Sequence, residues 1–380
     1  MSTIMGPVAV ATPAIGGPSP AVHSNAAPSM MPQGFPFRLD SELAWVGQDF
    51  AGHHSYVYEL TGADLAEIGL AITHFKDLEL DGEHVTRDTF PLPALGATLD
   101  GLSRNVHSGC GFCLVRGITP ANYAVEDLTL VYLGVQSYIA DQRACQDNRG
   151  NMLVHIIADT TSKTSTEHHR HSTKSITFHT EETGDVVGWL TRSTASSGGR
   201  CILASAYTVY NALASTRPDL LRLLTRSDWP FAFPQFHCRP IFMQQDGKVV
   251  CNFGRTPLLG NAIHSRPTHL PMVSAKQVEA LDAVEAIARA TELHIATQAG
   301  DMHFINNLAV LHRRESFQDG AAPVEKRHLV RMRLRSTQFS WALPHELSAA
   351  WDADFDEERR RVWHIEPMPE AFFPLRKYPN

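Results

Sequence analysis

The chain has 380 residues, which is long enough to bury a sizeable core in one large domain or in two. Its formal net charge of −7 and the lack of a dense Lys or Arg run argue against a nucleic-acid-binding or membrane-surface protein. No apolar run approaches the roughly 18 residues that a membrane-spanning helix needs. Composition therefore predicts a globular protein with neither a nucleic-acid nor a membrane partner.

The first 37 residues are rich in Ala, Pro, Gly and Ser and contain no Lys or Arg. We predict a disordered tail over 1–37, without the basic residues of a targeting segment, and a single domain over 38–380. The six scattered cysteines do not form a disulfide framework, and they favour a reducing, cytoplasmic location. Cys110 and Cys113 have the spacing of half a zinc site, but no second pair matches it, so we interpret them as buried strand residues.

Apolar residues at helical spacing predict helices, in chain order, over 61–75, 92–106, 125–139 and 274–290. The last is the clearest, because Ser274 and Gln277 form a capping-box pattern at its start. Between the second and third helices, the short apolar run 109–117 is bounded by glycines, as a buried strand would be.

Short apolar runs separated by turns predict strands in most of the second half of the chain. They cover 175–179, 186–190, 200–205, 241–244, 249–253, 294–297, 302–305 and 328–335. Asp246-Gly247 between two of them is a strong hairpin signal. The predicted fold class is therefore α+β, with a double-stranded β-helix (jelly roll) core and flanking helices.

The pattern His179-Thr180-Glu181 lies at the end of one predicted strand, and His312 follows far downstream. Side chains at i and i+2 of a strand point to the same side, so His179 and Glu181 can converge on one ion. Two imidazoles and one carboxylate suit a non-haem Fe(II) centre that keeps coordination positions open. A single His-x-Glu pattern is common by chance, and a pair of surface residues is its ordinary alternative.

The run from Lys326 to Arg333 adds weight to this pattern, because Arg327, Arg331 and Arg333 share the alternation of one strand face. Guanidinium groups inside a barrel are costly unless each meets an anion. A guanidinium also gives bidentate hydrogen bonds to a carboxylate. The sequence therefore predicts a metal site beside a place for an anion.

These residues resemble the taurine dioxygenase (TauD/TfdA-like) family of Fe(II)/2-oxoglutarate-dependent dioxygenases, in its fungal type, over about 45–351. The segments that carry the resemblance are Phe178-His179-Thr180-Glu181, Ser197-Gly198-Gly199-Arg200, Arg217-Pro218-Asp219-Leu220-Leu221, Gly300-Asp301, Phe304-Ile305-Asn306-Asn307, His312 and Lys326-Arg327-His328-Leu329-Val330-Arg331. The resemblance implies a double-stranded β-helix fold and the use of Fe(II), 2-oxoglutarate and O₂.

Carried over to this chain, the resemblance makes His179, Glu181 and His312 the iron ligands and Arg327 the residue that binds the far carboxylate of 2-oxoglutarate. Glu181 stands where the family usually has Asp. Cys201 occupies a position where a Ser or Thr hydroxyl usually assists that carboxylate, and a thiol is the weaker donor.

The resemblance also suggests substrate contacts. Arg331 matches an arginine that meets an anionic group of the substrate. Ser175 falls where the family often contacts substrate, although a plain strand serine fits equally well. Phe253 and Arg255 belong to a segment that we interpret either as a lid over the substrate or as a solvated loop. The cluster His168-His169-Arg170-His171 is interpreted as a polar loop, with substrate lining or metal binding as the alternative.

The expected function is oxidation of an unactivated C–H bond in a small substrate that carries a carboxylate, such as an amino acid, with succinate and CO₂ as co-products. Hydroxylation, desaturation and cyclisation are all compatible with it, as are secondary metabolism and a homo-oligomer. Two alternatives stay open. One is a zinc hydrolase that uses the same three ligands, and the other is a non-catalytic jelly-roll binding protein.

Overall fold

The computed structural model describes residues 31–52, 55–158, 171–261 and 265–367. The helices in these ranges are α1 (Gly62–Asp77), α2 (Leu95–Ser108), α3 (Val125–Ile139), α4 (Ala206–Thr216), α5 (Pro218–Leu224), α6 (Arg255–Leu259), α7 (Ala275–Ala290) and α8 (His345–Phe355). The strands are β1 (Val57–Glu59), β2 (Phe112–Arg116), β3 (Gln142–Arg143), β4 (Val154–Ile157), β5 (Ile176–His179), β6 (Val186–Ser193), β7 (Ser197–Gly198), β8 (Cys201–Ser205), β9 (Pro230–Phe231), β10 (His237–Cys238), β11 (Phe242–Gln245), β12 (Lys248–Cys251), β13 (Leu293–Ile295), β14 (Met302–Asn306), β15 (Val310–Arg314), β16 (Phe317–Gln318) and β17 (His328–Arg335).

Two sheets form the centre of the fold. The major sheet has the order β1-β2-β14-β6-β17, and β17 pairs along its other edge with β3 and β4. The minor sheet has the order β13-β8-β15-β5 and is antiparallel throughout. Strands that are neighbours in space are mostly distant in the chain, as expected for a jelly roll.

A layer of apolar side chains fills the space between the two sheets. Trp189 of β6 and Phe112 of β2 reach into this layer from the major sheet, and Leu203 of β8 and Val310 of β15 reach into it from the minor sheet. Alternate residues of the same strands point outward, because side chains along a strand face opposite sides in turn. The two sheets therefore enclose the interior from which a site can open.

Helices cover the outer face of each sheet. α1, α2 and α3 pack on the major sheet through residues such as Ile68, Leu99 and Leu133. α4, α5 and α7 pack on the minor sheet through residues such as Tyr210 and Leu281. Burying both outer faces makes the sheets rigid supports for side chains that point inward.

The fold confirms the predicted α+β class and its jelly-roll core with flanking helices. All four predicted helices and all the predicted strands have counterparts in the structure, with ends that differ by a few residues. The hairpin at Asp246-Gly247 is also confirmed, since β11 and β12 pair across it and both residues have positive φ, 48° and 78°. The sequence prediction missed α4, α5 and α8, and it missed β15, the strand that carries His312.

The predicted tail 1–37 is partly outside the described residues, which begin at Met31. Within the described part, Phe35 stacks on Tyr210 with ring centroids 6.4 Å apart, and the Tyr210 hydroxyl donates to the Pro36 carbonyl at 2.5 Å. Met31 and Phe35 thus pack against the core of the protein. None of the described helices combines the length and apolar character that a bilayer crossing requires.

Candidate active site

Strand pairing places His179 and His312 side by side. The two residues are register partners in the antiparallel pair of β5 and β15, and such partners project to the same side of a sheet. Their ring centroids lie 4.3 Å apart. Glu181 follows β5 and brings Oε1 to 3.9 Å from His312 Nε2. One ligand atom from each residue falls within 4.8 Å of the others, and no other such trio of His, Cys, Asp or Glu occurs in the described residues.

Asn307 fixes the backbone that presents Glu181. The Glu181 N–H donates to Asn307 Oδ1 at 2.6 Å, and Asn307 Nδ2 donates to the carbonyl oxygens of Glu181 and Gly184 at 3.1 and 2.9 Å. Asn307 begins the turn between β14 and β15, so the same turn that leads to His312 also anchors the Glu181 segment.

A hydrogen bond to the backbone sets the orientation of His179. Its Nδ1 lies 2.9 Å from the Thr177 carbonyl oxygen, which can accept only from a protonated Nδ1. The lone pair of that tautomer sits on Nε2, the nitrogen that a metal would bind. His179 is therefore held in a form suited to coordination.

Two arginines of β17 bracket the Glu181 carboxylate. Arg331 Nη1 donates to Oε1, and Arg333 Nη2 donates to Oε2 at 3.1 Å. Arg333 also lies 3.7 Å from Asp354. Both arginines are buried, 4% and 1% exposed. Burial lowers the pKa of Arg333, but the surrounding carboxylates outweigh it and leave the pKa raised. Alternation along β17 thus brings both guanidinium groups to one carboxylate.

Arg327 lies on the same side but faces a cavity. This Arg327 cavity is lined by Ile156, Ile176, His179, Glu181, Trp189, Cys201, His312, Arg313, Arg314, Arg327, Leu329 and Arg331. The Arg327 side chain makes no hydrogen bond or ion pair within the described part of the chain, and its guanidinium lies 5.4 Å from the centre of the Phe317 ring. Burial lowers its pKa to about 10, so it stays a cation at neutral pH.

Cys201 lines the Arg327 cavity beside that guanidinium. Burial raises the pKa of its thiol to about 12, and the thiol therefore remains protonated as a weak donor. The structure thus gathers both predicted co-substrate residues around one space next to the three predicted ligands.

A second cavity opens on the other side of His179. This aromatic cavity is lined by Thr177, His179, Thr180, Glu182, Phe231, Phe233, Pro234, Arg239, Asn252, Phe253, Gly254, Arg255, Thr256 and Pro257. The predicted residues Phe253 and Arg255 therefore lie in its wall, in a packed segment that leads into α6. Arg255 pairs with Asp282 at 2.7 Å. Ser175 is exposed and lines neither cavity, so the structure does not bring it to the others.

Sequence reasoning missed Glu182, Trp189 and Arg239. Trp189 could have been found from the alternation along β6. Its neighbour Leu190 faces the helices that cover the major sheet, so Trp189 faces the space between the two sheets. Glu182 follows a metal-ligand motif without belonging to it, and Arg239 belongs to no motif, so neither carried a signal. Residues 168–170 of the predicted histidine cluster lie outside the described residues. The remaining member, His171, has Nδ1 at 2.9 Å from the Ile157 carbonyl oxygen.

The residues present fit an iron centre with a dicarboxylate beside it. Two imidazoles and one carboxylate match the ligand set of non-haem Fe(II) oxygenases. The guanidinium of Arg327, with no partner in the described residues, fits a ligand carboxylate that supplies the missing anion.

Comparison with known proteins agrees with this geometry. The model of the family "Taurine catabolism dioxygenase TauD, TfdA family" matches residues 75–333, more than half of the chain. The chain is 35% identical to the taurine hydroxylase-like protein SAT17 of Stachybotrys chartarum over 345 residues, which cover 87% of this chain and 89% of the relative.

Solved structures give the same fold. An asparagine oxygenase in complex with Fe(II), 2S,3S-3-hydroxyasparagine and succinate has a TM-score of 0.59 at 14% identity, over 74% of this chain and 94% of the other. The non-haem iron oxygenase OrfP with Fe, succinate and (3R,4R)-dihydroxy-L-Arg has a TM-score of 0.56 at 13% identity, over the same shares of the two chains. The chain therefore belongs to the TauD/TfdA family of Fe(II)/2-oxoglutarate-dependent dioxygenases.

Proposed function

We propose that this dioxygenase oxidises an unactivated C–H bond of a small substrate that carries a carboxylate, with succinate and CO₂ as co-products. The observation that carries the proposal is the position of the cationic Arg327, without a partner in the described residues, beside the trio of His179, Glu181 and His312. When bound, Fe(II), 2-oxoglutarate and O₂ supply the oxidising chemistry. The protein supplies binding, orientation and the exclusion of water.

Each part of the site has a proposed task. His179, Glu181 and His312 hold the iron on one face and leave the other positions open. Arg327 binds the far carboxylate of the co-substrate through two parallel hydrogen bonds, and Cys201 contacts it as a weaker donor. The buried walls of the Arg327 cavity strengthen these charge-assisted bonds by lowering the local dielectric.

The remaining predicted residues are proposed as substrate contacts. Phe253 and Arg255 line the aromatic cavity, and Arg331 lines the Arg327 cavity while it holds Glu181. The solved oxygenases that share this fold contain 3-hydroxyasparagine and a dihydroxylated arginine, which supports an amino-acid-like substrate. A role in secondary metabolism, a homo-oligomer, a cytoplasmic location and a single domain after a disordered tail stay predictions.

The proposal can be tested with iron and the co-substrate alone. Anaerobic protein with Fe(II) and 2-oxoglutarate should show a weak visible charge-transfer band, because the keto acid chelates the iron. His312→Ala should abolish the band and lower turnover to below detection. His294→Ala is the matched control, since His294 lies on β13 at an exposed position where it pairs with Glu292. Absence of the band in the unchanged protein, or full turnover in His312→Ala, would refute the proposal.

The two alternatives predict different products. A zinc hydrolase with the same ligands would leave 2-oxoglutarate unconsumed. It also gives no task to Arg327, which forms no ion pair with the described residues. A non-catalytic binding protein would release no succinate with any substrate. Measuring succinate during turnover with a panel of amino acids and organic acids separates both from an oxygenase.

A further inference from the structure

Arg239 is a buried cation that forms no ion pair with the described residues. Its residue is 7% exposed, and its side chain makes no hydrogen bond or ion pair to the rest of the described chain. The guanidinium lies 5.3 Å from the centre of the Phe231 ring, a contact that positions the group without neutralising it. Burying a guanidinium costs free energy of folding unless an anion binds it. Arg239 lines the aromatic cavity, where a ligand can reach it.

Two other arginines that line the cavities, Arg331 and Arg255, already have carboxylate partners. Arg331 contacts Glu181, and Arg255 pairs with Asp282 at 2.7 Å. Arg239 differs from both, because no carboxylate of the described residues reaches it as an ion pair. A ligand carboxylate fits the anion-binding position that the described residues leave open at Arg239.

A carboxyl group lines the same cavity. Glu182 is the residue after the predicted ligand Glu181, and its side chain makes no hydrogen bond to the described residues. It is the carboxylate whose charge acts on Arg239, yet the two groups do not make an ion pair. The aromatic cavity thus presents one anion-binding and one cation-binding group with space left between them.

Aromatic rings form one part of the remaining lining, with Phe231, Phe233 and Phe253 in the wall. Polar residues such as Asn252 form another part, and His179 closes the cavity toward the proposed metal site. A compound held between the two charged groups would therefore place its hydrocarbon part against aromatic rings and next to the iron. This is the position in which a C–H bond has to lie for oxidation.

We infer that the aromatic cavity binds the primary substrate as a zwitterion, with its carboxylate on Arg239, its amino group on Glu182 and its apolar part on the three Phe rings. The substrate class is an amino acid with an apolar or aromatic side chain. This inference rests on the proposed oxygenase function, because it takes His179 as an iron ligand.

The inference can be tested by calorimetric titration of the anaerobic protein loaded with Fe(II) and 2-oxoglutarate. The probes are the proteinogenic L-amino acids and, for each one that binds, the amine that lacks its carboxylate and the acid that lacks its amino group. At least one apolar or aromatic amino acid should bind, and both of its truncated analogues should bind about ten- to a hundredfold more weakly.

Two variants assign each end of the probe to its residue. Arg239→Gln should weaken the amino acid about ten- to a hundredfold and leave the amine unaffected, since the amine has no carboxylate to lose. Glu182→Gln should weaken the amino acid and leave the deaminated acid unaffected. Arg226→Gln is the matched control, because Arg226 is exposed and pairs with Asp228 in the same part of the chain. The charge-transfer band of iron and 2-oxoglutarate reports that each variant is folded.

Two results would overturn the inference while the proposed function stands. One is a normal charge-transfer band with no amino acid bound at millimolar concentration. The other is an Arg239→Gln variant that weakens the amine as much as the amino acid. Absence of the band from the unchanged protein would instead refute the iron site, and the inference with it.

Discussion

Arg327 and the pair Arg331 and Arg333 lie on one side of the same strand run, yet their surroundings differ. The pair contacts both oxygens of Glu181, and Arg333 also has Asp354 nearby. Arg327, four residues before Arg331, has no carboxylate partner in the described residues and faces a cavity. The protein has therefore neutralised two of three neighbouring cations with its own side chains.

The difference distinguishes arginines that stabilise the fold from an arginine that is available to a ligand. Burying a guanidinium is costly, and the cost is recovered only when an anion with good geometry is present. Glu181 meets that need for the pair, and the two arginines in turn hold its carboxylate in place. Arg327 has the same need, and a co-substrate that brings a carboxylate would meet it. The comparison predicts that replacing Arg333 lowers the stability of the protein, whereas replacing Arg327 weakens co-substrate binding without lowering stability.

The largest effect is expected for Arg333→Gln. This change leaves one oxygen of Glu181 without its cation in a buried network, while Asp354 keeps its closer partner Arg359. Breaking such a network costs about 3–5 kcal/mol of unfolding free energy. Urea denaturation measures the loss. Arg200→Gln is the control, because the exposed Arg200–Glu315 pair should contribute less than about 1 kcal/mol. Equal losses in both variants would show that Arg333 is not a structural cation.

Arg327→Gln should act on co-substrate binding instead. Loss of two charge-assisted hydrogen bonds should raise the dissociation constant of 2-oxoglutarate about a hundredfold, which corresponds to about 2.7 kcal/mol. The free energy of unfolding without co-substrate should stay the same or rise, since a buried cation without a partner is removed. Titration of the charge-transfer band gives the dissociation constant, and urea denaturation gives the stability. A variant that is destabilised like Arg333→Gln would contradict the comparison.

The sequence was sufficient to predict the elements on which this comparison depends. Alternation along 328–335 placed Arg331 and Arg333 on one face, and the His-x-Glu spacing placed His179 and Glu181 together. Both predictions rest on the period of a strand, which is a local property of the chain. The sequence could not predict that Glu181, a proposed metal ligand, also contacts two arginines, because that contact joins β17 to the end of β5 through tertiary packing.

The elements and residues that were missed have physical reasons. α4 packs against the minor sheet, α5 and α7, and α5 packs against α4 and α7. Because each helix has more than one packing partner, its apolar residues do not form the single stripe that predicts a helix. Ser205 as N-cap and Pro218 at the first helical position were the available signals. Arg239 had none, because its importance depends on which carboxylates do not reach it, and only the folded chain shows that.

A smaller effect is expected from His303, a buried histidine near this site. His303 stacks on Trp189 with centroids 4.8 Å apart, and its Nε2 lies 3.4 Å from Thr297 Oγ1. Burial lowers its pKa to about 4, with Asp301 opposing this shift and Arg116 and Arg327 adding to it. His303 is therefore uncharged at neutral pH, which leaves Arg327 without a second cation from this residue.

The lowered pKa of His303 should make the protein less stable in acid. The folded pKa of about 4 lies below the unfolded value of about 6.5, so the unfolded chain takes up the proton first. The stability linked to His303 is complete above pH 6.5 and is lost as the pH falls toward 4. The loss amounts to about 2 kcal/mol at pH 5. His303→Phe should remove this part of the loss while the other buried histidines still titrate. Urea denaturation of both proteins at pH 7 and pH 5 measures it. Equal losses in the two proteins would show that folding does not lower the pKa of His303.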